Sequence, residues 1–152
     1  MTVAAVQGAP DRVAASITLT LPFEESSGWH ARRRLTLDLR TIGADPERID
    51  DAVLVLSELV GNALRHARPL PPGMVRVEWR VAHGEVELSV TDGGGPTEPR
   101  ALSLPVSALG GRGLAIVKDL SLTWGVRRSA LGGAAQTGIP QATTVYAVLP
   151  LN

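Results

Sequence analysis

Glu58 and Asn62 stand one helical turn apart in the run Ser57-Glu58-Leu59-Val60-Gly61-Asn62-Ala63-Leu64-Arg65-His66-Ala67. At that spacing they project about 40° apart on one helix face. The amide oxygen of Asn62 suits a hard cation such as Mg²⁺, which takes few protein ligands and completes its shell with phosphates and water. A carboxylate one turn away can accept the proton of an attacking hydroxyl. Arg65 and His66 continue the polar stripe. Taken alone, such a stripe reads more simply as a solvated face.

Two further stretches change that weighting. Val90-Thr91-Asp92-Gly93-Gly94-Gly95-Pro96 ends a strand on an acid beside a glycine run. Asp-Gly is a common turn pair, but the run is longer than a two-residue turn needs and no strand pattern follows it closely. An acid at a strand end can accept a hydrogen bond from the exocyclic amine of a base. Gly94 and its neighbours let backbone approach that ligand. Gly110-Gly111-Arg112-Gly113-Leu114-Ala115-Ile116-Val117 then opens an amphipathic helix with glycines. Free N–H groups across Gly111, Arg112, Gly113 and Leu114 can face a phosphate there. The stretch is no dinucleotide fingerprint, because Ile116 stands where the third glycine belongs, and no P-loop, because the chain has no Gly-Lys pair. Order and spacing make the three stretches a nucleotide site in combination.

The elements that must hold these residues follow from periodicity. Ile17–Leu21 alternates at period two and stops at Pro22, a strand. Ser26 or Ser27 caps a helix to about Arg40, ended by Gly43. Asp45-Pro46-Glu47 starts a second helix, with Asp as cap and Pro at the first position. Val53, Leu56, Leu59, Val60, Ala63, Leu64 and Ala67 give it one apolar side to about Ala67. Pro69, Pro71, Pro72 and Gly73 break it. Val75–Val81 and Glu85–Val90 alternate around His83-Gly84, a hairpin with one buried face. Residues 93–110 have neither period, with three prolines and four glycines; an aperiodic loop of that length reads as a lid. A helix from Gly111 to about Leu122 and strands at Thr123–Arg127 and Thr143–Leu149 complete the pattern, with a Gly- and Ala-rich connection between the strands. Helices beside an antiparallel hairpin and further strands predict an α+β fold, a two-layer α/β sandwich.

Bulk composition narrows the function classes. The chain has 152 residues, 44% hydrophobic and 20% charged, the signature of one globular domain. Fifteen basic and fifteen acidic side chains cancel, which argues against direct nucleic-acid or membrane-surface binding. Arg32-Arg33-Arg34 reads as a solvated helix face. No cysteine is present, so disulfides and thiolate chemistry are excluded. His30, His66 and His83 lack ligand spacing. Neither a secretory signal nor a membrane span is visible, and the cytoplasm is the expected location.

The three stretches resemble the N, G1 and G2 boxes of the GHKL ATPases, the superfamily of gyrase B, Hsp90, histidine kinases and MutL. Within it the chain is most similar to the small bacterial anti-sigma-factor serine kinases of the RsbW and SpoIIAB type. Ser57–Ala63 matches their Glu-x-Val-x-Asn-Ala box, and Thr143-Thr144-Val145-Tyr146 resembles the closing strand whose threonine sits near the adenine. The similarity runs over about residues 17–149. It implies a Bergerat-type ATP-binding fold, with a mixed, mostly antiparallel sheet covered on one face by about three helices. Residues 1–15 would then be a flexible arm and 16–152 the ATP-binding domain.

Carried over by position, the resemblance implies Glu58 as the base and Asn62 on Mg²⁺. Arg65 would lie near the phosphates, Asp92 on the adenine amino group, and Gly94, Gly111, Arg112, Gly113, Leu114 and Thr144 around the bound ATP. Two positions depart from the family pattern: Pro96 replaces the last glycine of the G1 box, and Ala142 the glycine before the final Thr-Thr-Val-Tyr. The activity implied is that of an ATP- and Mg²⁺-dependent serine/threonine kinase, an anti-sigma factor in a partner-switching system. Its partners would be a sigma factor and a STAS-type antagonist, with a homodimer possible. At this length the chain is expected to be a bare ATPase domain acting on a separate protein. The alternatives are a nucleotide-dependent protein-binding module without kinase activity, and a plain α/β domain with decayed motifs.

Overall fold

A computed structural model of the chain describes residues 2–4, 13–95, 113–130 and 141–152. They form strands β1 (Thr2–Ala4), β2 (Val13–Pro22), β3 (Met74–Ala82), β4 (Glu85–Asp92), β5 (Thr123–Ala130) and β6 (Gln141–Pro150), with helices α1 (Glu25–Thr41), α2 (Pro46–His66) and α3 (Gly113–Leu120). The sheet has six strands in the order β1-β2-β3-β4-β6-β5. Every pairing among the described strands is antiparallel, so the parallel component allowed by a mixed sheet is not found among them. The expected α+β sandwich is present. Residues 96–112 and 131–140, which include most of the expected lid together with Pro96, Gly111 and Arg112, lie outside the described residues.

Local chemistry explains the element ends. Asp45 caps α2 as its sequence predicts, accepting the Glu47 N–H, and Pro46 takes the first helical turn. The start of α1 differs from expectation. Glu24 is the N-cap residue and makes no side-chain cap bond, whereas Ser26 donates to Glu24 and Ser27 donates back to the Pro22 carbonyl. Ser27 therefore ties the helix to the end of β2, Ser26 bonds the N-cap side chain, and neither caps the helix. The β3–β4 hairpin turns through His83 at φ 53° and Gly84 at φ 74°, the positive pair a two-residue turn of matching twist requires. β2 begins earlier than its alternation indicates, with a register shift between Val13 and Ala15, and Thr2–Ala4 pair with Thr18–Ser16 along its edge.

Strand alternation gives the sheet two unlike faces. Val77, Trp79, Val86, Leu88, Val90, Ala147 and Leu149 face the helices and are buried with Leu35, Leu39, Val55, Leu56 and Leu59. The Trp79 indole N–H donates to Asp38 Oδ2 of α1 at 3.0 Å, and Asp38 Oδ1 accepts from Arg34 at 3.0 Å, a polar tie between the layers. On the outer face Thr91 and Thr144 share a 2.7 Å hydroxyl bond, Arg127 lies 3.9 Å over the Tyr146 ring, and Arg127 pairs with Glu87. Among the described residues no helix is long and apolar enough to cross a membrane.

Candidate functional site

Helix α2 is the central helix of its layer. Val60 packs toward α1, where a Cβ added to Gly28 would lie 3.5 Å from Val60 Cγ1. At about 100° per residue, Glu58 and Asn62 fall on the other flank of the buried stripe. That flank meets α3: a Cβ added to Gly113 would overlap Glu58 Oε2. Residue 113 must therefore be glycine for the N-terminal end of α3 to sit directly against the Glu58 carboxylate. Two residues from separate motifs are brought into contact, and neither alone signalled the other.

The Asp92 end of the site is fixed by the backbone. The Arg68 N–H donates to Gly94 O at 2.7 Å, and the Gly93 N–H donates to Arg68 O at 2.8 Å. This two-bond clasp joins the exit of α2 to the loop after β4. Gly93 is required there, since a Cβ would run into the Pro69 carbonyl. Gly94 has φ 83° and donates its N–H to Asp92 Oδ1 at 2.7 Å. Asn62 lies about 9 Å of helix rise before the clasp and Glu58 one turn further back. Glu58 and Asn62 thus lie on α2, and Asp92 ends the strand whose following loop is clasped to the exit of that helix.

Asp92 is 5% exposed. Burial pushes its carboxyl up to about 6, against the opposing pull of the Gly94 N–H bond. The side chain faces the helix layer, because it shares the alternation of Leu88 and Val90. Its register partner is Thr143, also 5% exposed. Here the threonine expectation needs correction. Thr144 pairs with Thr91 and points to the outer face, away from Asp92. Thr143 is the residue beside Asp92, and the doublet Thr-Thr gave no means of choosing without the register. Arg128 of β5 pairs with Thr143 on the same face, and Val126 pairs with Val145 one step along. The sequence marked the Thr143–Tyr146 strand but not which residues share the face of Asp92; by register these are Thr143, Val145, Val126 and Arg128. The one signal for their face was Gly125, which leaves room for the Tyr146 ring on the opposite side.

The remaining expected residues divide. Arg65 is exposed on α2 with its guanidinium folded back over Gly61, where a Cβ would meet Nη1 at 2.8 Å. Leu114 is buried in the first turn of α3. Gly111 and Arg112 fall outside the described residues. Among those described, no group of three or more His, Cys, Asp or Glu is placed to hold a metal ion.

A family model described as the histidine kinase-like ATPase domain matches residues 25–136. The chain belongs to this family. The match spans α1 through β5 and includes the flank and clasp just described. No curated protein sequence matches the chain significantly. Among solved structures it is similar to the RsbU and RsbW domains of Rv1364c from Mycobacterium tuberculosis, at 25% identity and a TM-score of 0.62. That match covers 90% of this chain and only 32% of the other. A chain of the SiaB–SiaC complex from Pseudomonas aeruginosa shares the fold at 15% identity and a TM-score of 0.67, covering 88% and 89% of the two chains.

Proposed function

We propose that this protein is an ATP- and Mg²⁺-dependent serine/threonine kinase of a partner-switching system, one that sequesters a sigma factor and phosphorylates a STAS-type antagonist. The contact between Glu58 and the first residue of α3 carries the reading. It sets a carboxylate at the place where free backbone N–H groups of a helix end would receive a terminal phosphate. Membership of an ATPase family supports ATP as the ligand. The RsbW domain in the similar M. tuberculosis protein accords with the resemblance seen in the sequence.

The donor set suits Mg²⁺. Asn62 offers a neutral oxygen on the flank where the phosphates would run, and few protein ligands are what a phosphate-bridging Mg²⁺ takes. When bound, the metal would neutralise phosphate charge. Asp92 would accept the adenine amino hydrogen. Glu58 would accept the proton of the substrate hydroxyl as its oxygen bonds to the γ-phosphorus, while the bond to the β,γ-bridging oxygen breaks and ADP leaves. Positioning and electrostatics supply most of the catalysis in such transfers.

Radiolabelled transfer onto a STAS partner, with nucleotide affinity measured alongside, tests the assignment. Glu58→Ala should keep ATP binding and lower transfer by about 10²–10⁴. Asn62→Ala should also weaken Mg²⁺-dependent binding. A wild-type rate in the Glu58 variant would show that the carboxylate is not the base. Nucleotide-dependent partner binding without transfer by the wild type would favour the binding-module alternative.

A further inference from the structure

We propose that the outer face of the helix layer is a self-association surface, through which two copies of this chain pair about a two-fold axis running along α1 and α2. Trp29, Arg33, Leu37 and Arg40 recur at helical spacing on the side of α1 opposite its buried residues Ala31, Leu35 and Leu39. All are exposed, Trp29 by 50% and Leu37 by 51%. Glu47, Asp50 and Leu54 hold the equivalent side of α2, away from Ile49, Ala52 and Leu56, and are exposed as well. One stripe is apolar and cationic, the other apolar and anionic.

The connection between the helices fixes their relative level. Residues 42–45 join the end of α1 to the start of α2, and Gly28 meets Val60 toward the other ends, so the helices run antiparallel. Arg40 therefore stands level with Glu47 and Asp50, and Leu37 lies within about one turn of the level of Leu54. Among the described residues neither Arg40 nor Asp50 makes an ion pair.

Symmetry and charge together choose the arrangement. A closed homodimer uses the same patch on both copies. A two-fold axis lying across the helices would set α1 on α1 and α2 on α2, cation against cation and acid against acid. An axis along the helices keeps every level and lays α1 of one copy over α2 of the other. Arg40 of each copy then meets Asp50 of the other, with Leu37 and Leu54 covered between them. Helix dimensions give this face about 500 Å² per copy. That is less than the roughly 800 Å² of a standard stable complex, so the dimer is weak, with a Kd on the order of 10–100 µM.

Sedimentation equilibrium without nucleotide tests the inference, and its outcome is independent of the ATP reading. The wild type should dimerise in the micromolar range and weaken at least about threefold between about 50 and about 500 mM salt. Arg40→Glu and Asp50→Arg should each weaken association by about tenfold or more, since like charges then face each other twice. An equimolar mixture of these two variants should restore it, because one contact is then reversed in sense and the other native. Leu37→Ser should weaken it without changing the salt dependence. Thermal melts report that each variant is folded. A wild type that stays monomeric up to about 0.5 mM overturns the proposal. So does a dimer indifferent to either charge reversal, or a mixture that remains monomeric.

Discussion

Below about pH 4 the Asp92 carboxyl is protonated and its burial costs little; as pH rises through about 6 a charge appears in a site only 5% exposed. Because the folded-state value is raised, the contribution of this group to stability is full below 3.8 and is lost as pH passes about 6. An asparagine at 92 can still accept the Gly94 N–H through its amide oxygen without carrying the charge. Asp92→Asn should therefore be more stable than wild type at pH 7.5, by about 1–3 kcal/mol, and melt higher, with the gap closing toward pH 4. The same variant should lose most ATP affinity, since a charge-assisted bond is worth about 1.5–3 kcal/mol. Wild-type affinity should fall below pH 6, as the acceptor becomes protonated. Thermal melts and calorimetry across pH 4–8 check both signs. A residue whose removal stabilises the fold and abolishes binding is there for the ligand.

At the scale of elements, the glycines mark where backbone and helix ends are packed against neighbours. Gly93→Ala would drive a methyl into the Pro69 carbonyl, and neither backbone segment can yield without breaking the Arg68 clasp. A loss of about 1–3 kcal/mol in urea unfolding is expected. Gly113→Ala meets a flexible side chain instead. The Glu58 carboxylate can swing away, so stability should change by less than about 1 kcal/mol while phosphoryl transfer falls sharply. The elements themselves were largely legible. The apolar stripe of α2, its Asp45 cap and the His83-Gly84 turn are local signals, and local signals survive in a single sequence. Pairing register is not local. Nothing near Thr143 and Thr144 says which one faces Asp92, and nothing near Arg128 places it two strands from that acid. The shared face of Glu58 and Asn62 was legible because a helix reports its own geometry, whereas the contact of Glu58 with Gly113 depends on how two helices dock.

Among the described residues a continuous apolar seam joins the two layers, with the Trp79–Asp38 bond as a polar tie across it. Trp79→Phe removes the indole N–H that meets Asp38 and should cost about 1.5–3 kcal/mol, the range for a hydrogen bond to a charged group. Denaturant unfolding of Trp79→Phe, Asp38→Asn and the double variant would isolate that coupling. A different consequence follows from the strand order. β4 pairs with β3 across a tight turn but with β6 only after the intervening chain has closed, so positions 92 and 143 meet through a non-local pairing. Non-local pairings carry a loop-closure cost that local hairpins avoid, and they dominate slow folding. The Asp92–Thr143 row should therefore form late, after the transition state for folding. A ligand that recognises only the completed row stabilises the native state without stabilising that transition state. Saturating ATP·Mg²⁺ should then slow unfolding and leave the refolding rate nearly unchanged, which stopped-flow measurements on both limbs would resolve.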